Sequence, residues 1–446
     1  MAYCEFKKDD IIDLNKVEEI WSKNTRPVSI YINNPFCMGG YDGKNCRYCV
    51  HRGYPSPNDE EVESFYKYLI KLLEQYNKII EDNEIKLVNF GGGTPTFIYA
   101  KYGIDAFKKF LSSIDVRIPN FKSIHKMMEL HPAYLTEELL DVLHEYGFTT
   151  VMFCVQTFSE KILEKENRRF GEPGIWIDKL KNLRYYAREL GINVAFDFIT
   201  FWTANVDNDI YTLNEDLDIL KEFEPDEFTI SVMCQYKYGS GINIGYLYRG
   251  ISIAVNRVFP TYINPEDSLL HPEVTAIRFY NPDNNSVLED FNIYRNTMTD
   301  VGWEYEHGYS TLGLGCYKNQ DKAVFSIIGP RYTIYDEFDG FDKLPIYHLG
   351  KDYDFWKAAH NILYALEKEY GDNEMQVGSK ITLINKCQNQ NLAYSHFGQG
   401  NCDYSIREPS DIPIYDFVDG ESYGNRLVQE DIKKKIIAYG NENRKE

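Results

Sequence analysis

The chain has 446 residues, a formal net charge of −20 and a hydrophobic fraction of 43%. This length suits two or three domains, or one barrel of roughly 200 to 250 residues with further parts. The hydrophobic fraction predicts a globular protein with a sizeable core. The acidic balance disfavours nucleic acid and anionic lipid as partners, because a negative surface repels phosphate groups.

The N-terminal segment MAYCEFKKDD lacks an apolar signal core, and no run is long and apolar enough to span a bilayer. We therefore expect a cytoplasmic protein without a membrane partner. Nine cysteines in such a chain indicate metal or redox chemistry before disulfides.

Six strand-like apolar runs alternate with amphipathic helices in the first half of the chain. The predicted strands are 28–32, 85–90, 126–130, 150–155, 193–200 and 227–233. The predicted helices are 59–81 and stretches near 135–146, 159–167, 175–190 and 209–223. Continuous apolar strands of this kind are typical of a parallel sheet covered by helices. The pattern predicts an α/β fold, with an open or partial six-unit (β/α) barrel favoured over a doubly wound sheet.

Beyond about residue 240 the alternation fades, and Tyr, Asn, Asp and Pro become frequent. One further helix is predicted over 354–370, with Gly371 as its stop. We therefore expect an N-terminal extension (1–27), a barrel (28–240) and a smaller α+β C-terminal region (241–446) that covers the substrate.

Three cysteines lie close together in YINNPFCMGGYDGKNCRYCV, residues 31–50. Cys46 and Cys49 have the spacing of many metal sites, and eight residues separate Cys37 from Cys46. Three thiolates suit a [4Fe–4S] cluster with one iron free of protein ligands. They also suit zinc with a fourth ligand such as His51. Spacing alone further permits a chance pair beside a packed thiol.

The segment VNFGGGTPT, residues 88–96, directly follows the second predicted strand. Its glycines allow close backbone approach, and their N–H groups can bind an anion or a carbonyl. The segment lacks the Lys-Ser/Thr of a P-loop and the spacing of a dinucleotide fingerprint. By itself it is equally compatible with a tight turn before a helix.

Together these segments resemble a known family. YINNPFC, CRYCVHRG and FGGGTPT are similar to motifs of the radical S-adenosylmethionine (SAM) enzymes, in the oxygen-independent coproporphyrinogen III oxidase-like (HemN/HemW-like) group. The similarity continues in MMELHPAYLTEELLDVLHEYGFTTVMFCVQTF, ILEKENRRF and NVAFDFI, and more loosely in STLGLGCYKN. It covers roughly residues 28–200 and implies a partial barrel of the radical SAM type.

The resemblance also implies cofactors and ligands. A [4Fe–4S] cluster would be bound by Cys37, Cys46 and Cys49, and its unique iron would be chelated by the amino and carboxylate groups of SAM. The adenosine site would be lined by Tyr31 and Tyr48. The methionine end would meet Gly91, Gly92 and Gly93. Four polar residues match those that hold SAM in the family: Glu129, Gln156, Arg168 and Asp197.

Structural interpretations of these polar residues remain open. Arg168, beside Arg169, would also suit a solvated helix end, and Gln156 would suit a helix cap. Asp197 lies within an apolar run, where an unpaired charge is costly, and this favours a functional role. His131 and His51 are interpreted as structural or solvent-facing.

The function implied by the resemblance is that of an anaerobic radical enzyme. It would cleave SAM reductively to a 5′-deoxyadenosyl radical, which abstracts hydrogen from an organic small-molecule substrate. A flavodoxin- or ferredoxin-type donor would supply the electron. Methylation or C–C bond formation in a biosynthetic pathway is the favoured subtype. The alternatives are a haem-binding or haem-trafficking protein, with His307 as a candidate ligand, and an RNA-modifying radical SAM enzyme, which the charge disfavours.

The chain departs from the family pattern in three places. The family usually has three residues between its first two cluster cysteines; closing eight costs only about 0.9 kcal/mol more, and the polar, glycine-rich insertion can loop outward. The oxidase itself has a further cysteine where this chain reads CVHRG, and FITFWTAN replaces an expected Gly-Leu-Pro. These differences place porphyrinogen decarboxylation in doubt and alter the substrate wall near Phe201 and Trp202.

Three later cysteines receive no firm role. Cys316 is interpreted as a turn thiol in preference to a reactive one. Cys387 and Cys402 are too few to hold an auxiliary cluster, even if Cys234 or Cys316 joins them.

Overall fold

The structure is a computed structural model. It describes residues 11–24, 27–40, 43–49, 56–168, 170–200, 202, 206–232, 251, 253–262, 276–283, 310–315, 323–328, 333–338 and 340–349.

The described chain begins with a short strand and a helix, β1 (Ile11–Ile12) and α1 (Leu14–Trp21). Asp13 caps α1 by accepting a hydrogen bond from the Lys16 backbone N–H. The buried Trp21 attaches this helix to the main core.

Six parallel strands follow, and they confirm the six that the sequence predicts. They are β2 (Val28–Asn34), β3 (Ile85–Gly92), β4 (His125–Leu130), β5 (Thr150–Gln156), β6 (Asn193–Thr200) and β7 (Glu227–Val232). Each pairs in parallel with the next strand in chain order. The carboxyl ends of all six strands therefore meet at one edge of the sheet, where ligands bind in folds of this type.

Helices connect the strands and cover one face of the sheet. They are α2 (Asp59–Gln75), α3 (Asn77–Asp82), α4 (Phe97–Tyr102), α5 (Ile104–Asp115), α6 (Glu137–Glu145), α7 (Glu160–Lys165), α8 (Ile175–Glu189) and α9 (Val206–Leu220). Short 3₁₀ turns span Phe121–Ser123, Pro132–Tyr134 and Lys221–Phe223. In the described part of the chain, no helix is long and apolar enough to cross a membrane.

Helix α2 begins where the local sequence predicts, but a contact with a distant residue determines where it ends. Asn58 and Glu61 form a reciprocal capping box at the N-terminus of α2. The sequence predicts one helix to residue 81, but the helix breaks at Tyr76, where the backbone turns to φ −91° and ψ 10°. The buried Tyr76 hydroxyl there meets the hydroxyl of Tyr347 at 2.8 Å, a long-range contact that the apolar period does not reveal.

Later strands extend the same sheet on both sides. They are β8 (Ala276–Tyr280), β9 (Ser310–Gly315), β10 (Ala323–Ile328), β11 (Thr333–Phe338) and β12 (Ile346–Leu349). β9 pairs in parallel with β2, whereas β8 pairs antiparallel with β7. The order is β1-β12-β11-β10-β9-β2-β3-β4-β5-β6-β7-β8, so among the described strands the sheet stays open. The α/β class with a partial barrel is confirmed.

The two faces of the parallel strands bury different residues. Residues such as Val88, Met128 and Phe153 belong to the main core with the helices. The alternate residues form a small separate cluster, in which Cys154 packs against Met127, Met152 and Ala195. Because side chains alternate along a strand, residues two positions further on from this cluster face the same interior.

Candidate cofactor site

The predicted polar residues come together at the carboxyl ends of neighbouring strands. Glu129 lies two residues after Met127 on β4, and Asp197 lies two residues after Ala195 on β6, so both face the interior. A Cβ atom placed on Gly91 would lie 2.1 Å from the Tyr31 hydroxyl oxygen and 2.8 Å from Oε1 of Glu129. Tyr31, Gly91 and Glu129 therefore line one continuous patch across β2, β3 and β4.

Gln156 is directed to Asp197 by an irregular end of β5. Its φ angle is 73°, and the pairing of β5 with β6 shifts register between Phe153 and Gln156. Gln156 Nε2 donates a hydrogen bond of 2.8 Å to Oδ2 of Asp197. The N-cap of the following helix is Ser159. The helix-cap interpretation of Gln156 is therefore wrong.

The turn after Gln156 is held by a carboxylate that the sequence did not single out. Asp216 of α9 accepts a 2.8 Å hydrogen bond from the Thr157 hydroxyl and a 2.7 Å bond from the Phe158 backbone N–H. Burial raises the pKa of Asp216 to about 7. Asp216 thus fixes the backbone of the turn that directly follows Gln156.

The pKa of the Glu129 carboxyl group is raised. Burial first and the charge of Asp197 second, opposed by the Gly92 N–H, together bring the pKa of Glu129 to about 8. The same burial and the charges of Glu129 and Asp197 raise the pKa of the Cys154 thiol well above its usual value. Glu129 and Asp197 thus place two carboxyl groups on β4 and β6, where a cation such as an ammonium group would favour their ionised forms.

The glycine run is packed directly against the chain that leads to Cys37. A Cβ on Gly92 would lie 2.5 Å from the Asn34 carbonyl oxygen, and one on Gly93 would lie 2.3 Å from that of Phe36. The Gly93 and Thr94 N–H groups donate to these same carbonyls, each at 2.7 Å. Glycine is required here because the backbones leave no room for a side chain.

The three predicted ligand cysteines are free thiols on the loop after β2. Cys46 is buried, and Cys37 and Cys49 are half-buried. Cys37 Sγ accepts a hydrogen bond from the Gly39 N–H at 3.4 Å and from the Thr94 hydroxyl at 3.6 Å. The Cys49 N–H donates to the Cys46 carbonyl at 3.1 Å, which closes a tight turn between the two.

The three cysteines have the donor chemistry of an iron–sulfur cluster, whose ligands are cysteine thiolates. Among the described residues, no group of three or more His, Cys, Asp or Glu side chains is arranged to hold a single metal ion. The zinc interpretation needs a fourth ligand besides the three cysteines. His51, the fourth ligand in the zinc interpretation, lies outside the described residues.

The insertion between the first two cysteines is anchored at its base. Asn167 Nδ2 donates to the carbonyls of Lys44 and Asn45, both at 3.3 Å. A Cβ on Gly40 would lie 1.7 Å from the Asn167 carbonyl oxygen, so the loop backbone packs directly on this turn. Gly43 and Lys44 are exposed. The outward course predicted for the insertion therefore applies to these two residues and not to its base.

Arg168 lies between the cysteine loop and the barrel. Nη1 donates to Cys46 Sγ at 3.7 Å, and Nη2 donates to the Cys154 carbonyl at 2.6 Å. The guanidinium stacks over Tyr48 at 5.9 Å and over Phe170 at 5.1 Å. Arg168 is buried, so its interpretation as a solvated helix end is wrong. It joins Cys46 to the strand that carries Gln156.

Tyr48, Phe170 and Trp202 form an aromatic wall beside Arg168. The Tyr48 ring packs edge-on against Trp202 with centroids 5.4 Å apart. Its hydroxyl is buried and lies close enough to the Cys46 side chain to form a hydrogen bond with it. Tyr48 therefore lies between the cysteine loop and Trp202.

Three further residues border the site and escaped the sequence analysis. Thr94 contacts Cys37, and its position directly after the glycine run was the available signal. Cys154 lies two residues before Gln156 on the same strand face, a relationship that strand alternation would have shown. Tyr134 lies near Cys37: burial first, and the charge of Cys37 second, raise its pKa.

His131 is structural, as the sequence suggested. Its Nδ1 accepts a hydrogen bond from the Ala133 N–H, and its ring packs against Phe170. Burial, and then the charge of Arg168, lower the pKa of His131 well below its usual value. The predicted helix 354–370 and several candidate residues lie outside the described residues: His51, Phe201, Cys234, His307, Cys316, Cys387 and Cys402.

Comparisons with known proteins agree with this geometry. The model of the radical SAM superfamily matches residues 35–217. An oxygen-independent coproporphyrinogen III oxidase of Helicobacter pylori (strain ATCC 700392 / 26695) is 29% identical over 180 residues, 40% of this chain and 36% of the relative. The haem chaperone HemW of Bacillus subtilis (strain 168) is 28% identical over 176 residues, 38% of this chain and 42% of the relative. The chain thus matches less than half the length of these curated relatives.

A solved structure extends the likeness of the fold. Coproporphyrinogen III oxidase (HemN) from Escherichia coli, a radical SAM enzyme, superposes with a TM-score of 0.57 over 82% of this chain and 81% of that chain, at 14% sequence identity. This likeness concerns the fold alone. The sequence matches show that residues 35–217 carry a radical SAM domain, which is similar to those of the coproporphyrinogen III oxidase and HemW relatives. The expected cofactors, a [4Fe–4S] cluster and SAM, are those of this superfamily.

Proposed function

We propose that this protein is a radical SAM enzyme that cleaves SAM reductively and abstracts hydrogen from an organic small molecule. The observation that carries the proposal is the meeting of the cysteine loop with the polar strand ends. Arg168 contacts Cys46 and the Cys154 carbonyl, and Cys154 lies within reach of the charges of Glu129 and Asp197. A cluster on the loop and a ligand on the strand ends would therefore be neighbours.

When bound, a reduced [4Fe–4S] cluster and SAM would supply a 5′-deoxyadenosyl radical for the removal of a hydrogen atom from the substrate. Cys37, Cys46 and Cys49 would hold the cluster. Their donor chemistry fits it, because iron–sulfur clusters are held by cysteine thiolates.

The chain's own residues would bind and orient SAM. Glu129 would accept a hydrogen bond from the ammonium group, which stabilises the ionised form of its carboxyl group. Asp197, held by Gln156, would accept hydrogen bonds from the ribose hydroxyls. Arg168 has one N–H, on Nε, without a partner among the described residues, and this group is available to the SAM carboxylate.

The remaining SAM contacts would come from the aromatic wall and the glycine run. Tyr31 and Tyr48 would line the adenosine, as the family resemblance implies. Gly91, Gly92 and Gly93 would border the methionine end, where their lack of side chains keeps the space beside Glu129 open. Trp202, packed on Tyr48, would separate Tyr48 from bulk water.

The finer parts of the proposal rest on composition and resemblance. The substrate is an organic small molecule, and methylation or C–C bond formation is the proposed outcome. A flavodoxin- or ferredoxin-type protein would donate the electron, in the cytoplasm. Residues 28–240 would form the catalytic barrel, with 241–446 as the region that covers the substrate.

An anaerobic turnover experiment tests the proposal. The protein is reconstituted with iron and sulfide, its iron, sulfide and zinc contents are measured, and it is then incubated with dithionite and SAM. We expect a cluster and the release of 5′-deoxyadenosine, and we expect Cys46→Ala to abolish both. Additional S-adenosylhomocysteine would support methyl transfer. Zinc in place of the cluster, or a cluster that never yields 5′-deoxyadenosine, would overturn the proposal.

A further inference from the structure

A guanidinium group lies against one of the three ligand sulfurs. Arg168 Nη1 is 3.7 Å from Cys46 Sγ, within the range of a hydrogen bond to sulfur. Its second terminal nitrogen is fixed at 2.6 Å by the Cys154 carbonyl of β5. The rings of Tyr48 and Phe170 lie beside the guanidinium plane. These contacts with β5 and with the two rings hold the Arg168 guanidinium group in a fixed position.

No carboxylate neutralises this charge among the described residues. The ion pairs found there do not include Arg168. A buried cation without a counter-ion is costly, so some negative group is expected to compensate it. The nearest candidate is the thiolate of Cys46.

The donors to Cys37 Sγ are neutral groups. Cys37 Sγ accepts from the Gly39 N–H and from the Thr94 hydroxyl. Thr94 is itself oriented by the Met38 N–H, which donates to its oxygen at 3.2 Å. Cys37 thus has two neutral donors, whereas Cys46 has the charged Arg168 in addition to the neutral Tyr48 hydroxyl. Charged donors interact about twice as strongly as neutral ones.

We propose that Arg168 is a positioning residue that raises the reduction potential of the cluster through its contact with Cys46 Sγ. The inference rests on the proposed function, since it assumes that Cys46 binds a cluster. Reduction transfers one electron from a low-potential donor, such as a flavodoxin or dithionite, to the cluster, and no bond is formed or broken in that step. The cluster gains one negative charge, which a fixed cation and hydrogen bonds to sulfur stabilise.

A redox titration of the SAM-free, reconstituted protein tests this role. The midpoint potential is followed by the electron paramagnetic resonance signal of the reduced cluster in the wild type, Arg168→Met, Arg168→Lys and Thr94→Val. We expect the lowest potential in Arg168→Met, an intermediate value in Arg168→Lys, and a smaller decrease in Thr94→Val. Arg188→Met is the matched control, because it removes an exposed arginine that pairs with Glu224, and its potential should equal that of the wild type.

The outcomes separate this inference from the proposed function. A wild-type protein that assembles no cluster contradicts the proposed function. A cluster whose potential is the same in the wild type and in Arg168→Met contradicts the inference alone. If Arg168→Met does not assemble a cluster, Arg168→Lys and Thr94→Val decide, and unchanged potentials in both would overturn the role of these donors. Omitting SAM ensures that a loss of SAM binding cannot imitate the effect.

Discussion

Gln156 and Asp197, 41 residues apart in sequence, are joined by a hydrogen bond of 2.8 Å from Nε2 to Oδ2. The bond links the ends of β5 and β6. It depends on the left-handed backbone of Gln156, whose φ is 73°. The pair is a preorganised acceptor at the place where we propose that SAM binds.

Removing the charge of Asp197 should weaken SAM binding. Asp197→Asn keeps the shape of the side chain but replaces a charged acceptor, whose hydrogen bonds contribute about 1.5–3 kcal/mol, with a neutral one. We expect an affinity for SAM about tenfold lower, measured by anaerobic equilibrium dialysis of the cluster-loaded protein. The control is Asp141→Asn, which alters an exposed aspartate bonded to Tyr186. Equal affinities in all three proteins would refute the role of Asp197.

Binding of SAM should release a proton from Glu129. Its pKa is raised from 4.5 to about 8, so the carboxyl group is mostly protonated at pH 7, and a bound ammonium would favour the ionised form. Calorimetric heats measured in buffers of different ionisation enthalpy should reveal up to one proton released per SAM bound. Glu129→Gln should remove this dependence on the buffer. A wild-type heat that does not change with the buffer would exclude the coupling.

The same raised pKa predicts how stability changes with pH in the absence of ligands. Below about pH 4.5 the carboxyl group is neutral in both folded and unfolded chains. Between pH 4.5 and about 8 the folded chain retains a proton that the unfolded chain has lost, so the wild type loses stability as pH rises. Glu129→Gln should therefore gain stability relative to the wild type over this interval, in chemical denaturation at several pH values. If the difference in unfolding free energy between Glu129→Gln and the wild type did not change with pH, it would contradict the raised pKa of Glu129.

Asp216 should matter for both stability and the site. Asp216→Ala leaves the Thr157 hydroxyl and the Phe158 N–H buried without an acceptor, at a cost of about 1–3 kcal/mol for each group. We expect a lower unfolding free energy in urea together with weaker SAM binding, because the turn at Gln156 is released. Asp218→Ala on the same helix removes an exposed pair with Arg257, which contributes at most about 1 kcal/mol. Similar effects of the two substitutions would argue against a role for Asp216 in the turn.

Alanine substitutions at two glycines of the insertion between Cys37 and Cys46 should affect cluster loading differently, because only Gly40 packs at the anchored base. Gly40→Ala would place a Cβ 1.7 Å from the Asn167 carbonyl, so the loop between Cys37 and Cys46 must shift. At Gly43 nothing lies within 4 Å of an added Cβ, and only the strain of its φ of 74° opposes alanine, about 1 kcal/mol. We expect iron and sulfide contents to fall strongly in Gly40→Ala and little in Gly43→Ala. Full loading of Gly40→Ala would show that the base of the loop is not required.

Much of the fold was predictable because its signals are local. The six parallel strands are continuous apolar runs, and their order follows from the alternation with helices. The break of α2 at Tyr76 was not predictable, because the apolar period continues through it and the contact with Tyr347 comes from a distant strand. The pairing of β9 with β2 likewise joins segments far apart in sequence.

The structure brings the predicted site residues close together, but the sequence did not reveal the contacts between them. Cysteine spacing, the glycine run and the family likeness identified the residues, whereas the position of Arg168 depends on how its turn packs on Tyr48 and Phe170. Asp216 carries no signal, since an aspartate on an acidic helix is interpreted as a solvated face. Its role becomes visible only when α9 is packed against the end of β5.

The most direct test of the central claim, that SAM binds an iron of the cluster beside Glu129 and Asp197, is electron–nuclear double resonance on the reduced protein. SAM is supplied with an isotopic label at its amino nitrogen or its carboxylate. The account predicts hyperfine coupling from both labels to the cluster, with the nitrogen coupling lost or altered in Glu129→Gln. A cluster that forms but shows no coupling to either label would contradict it.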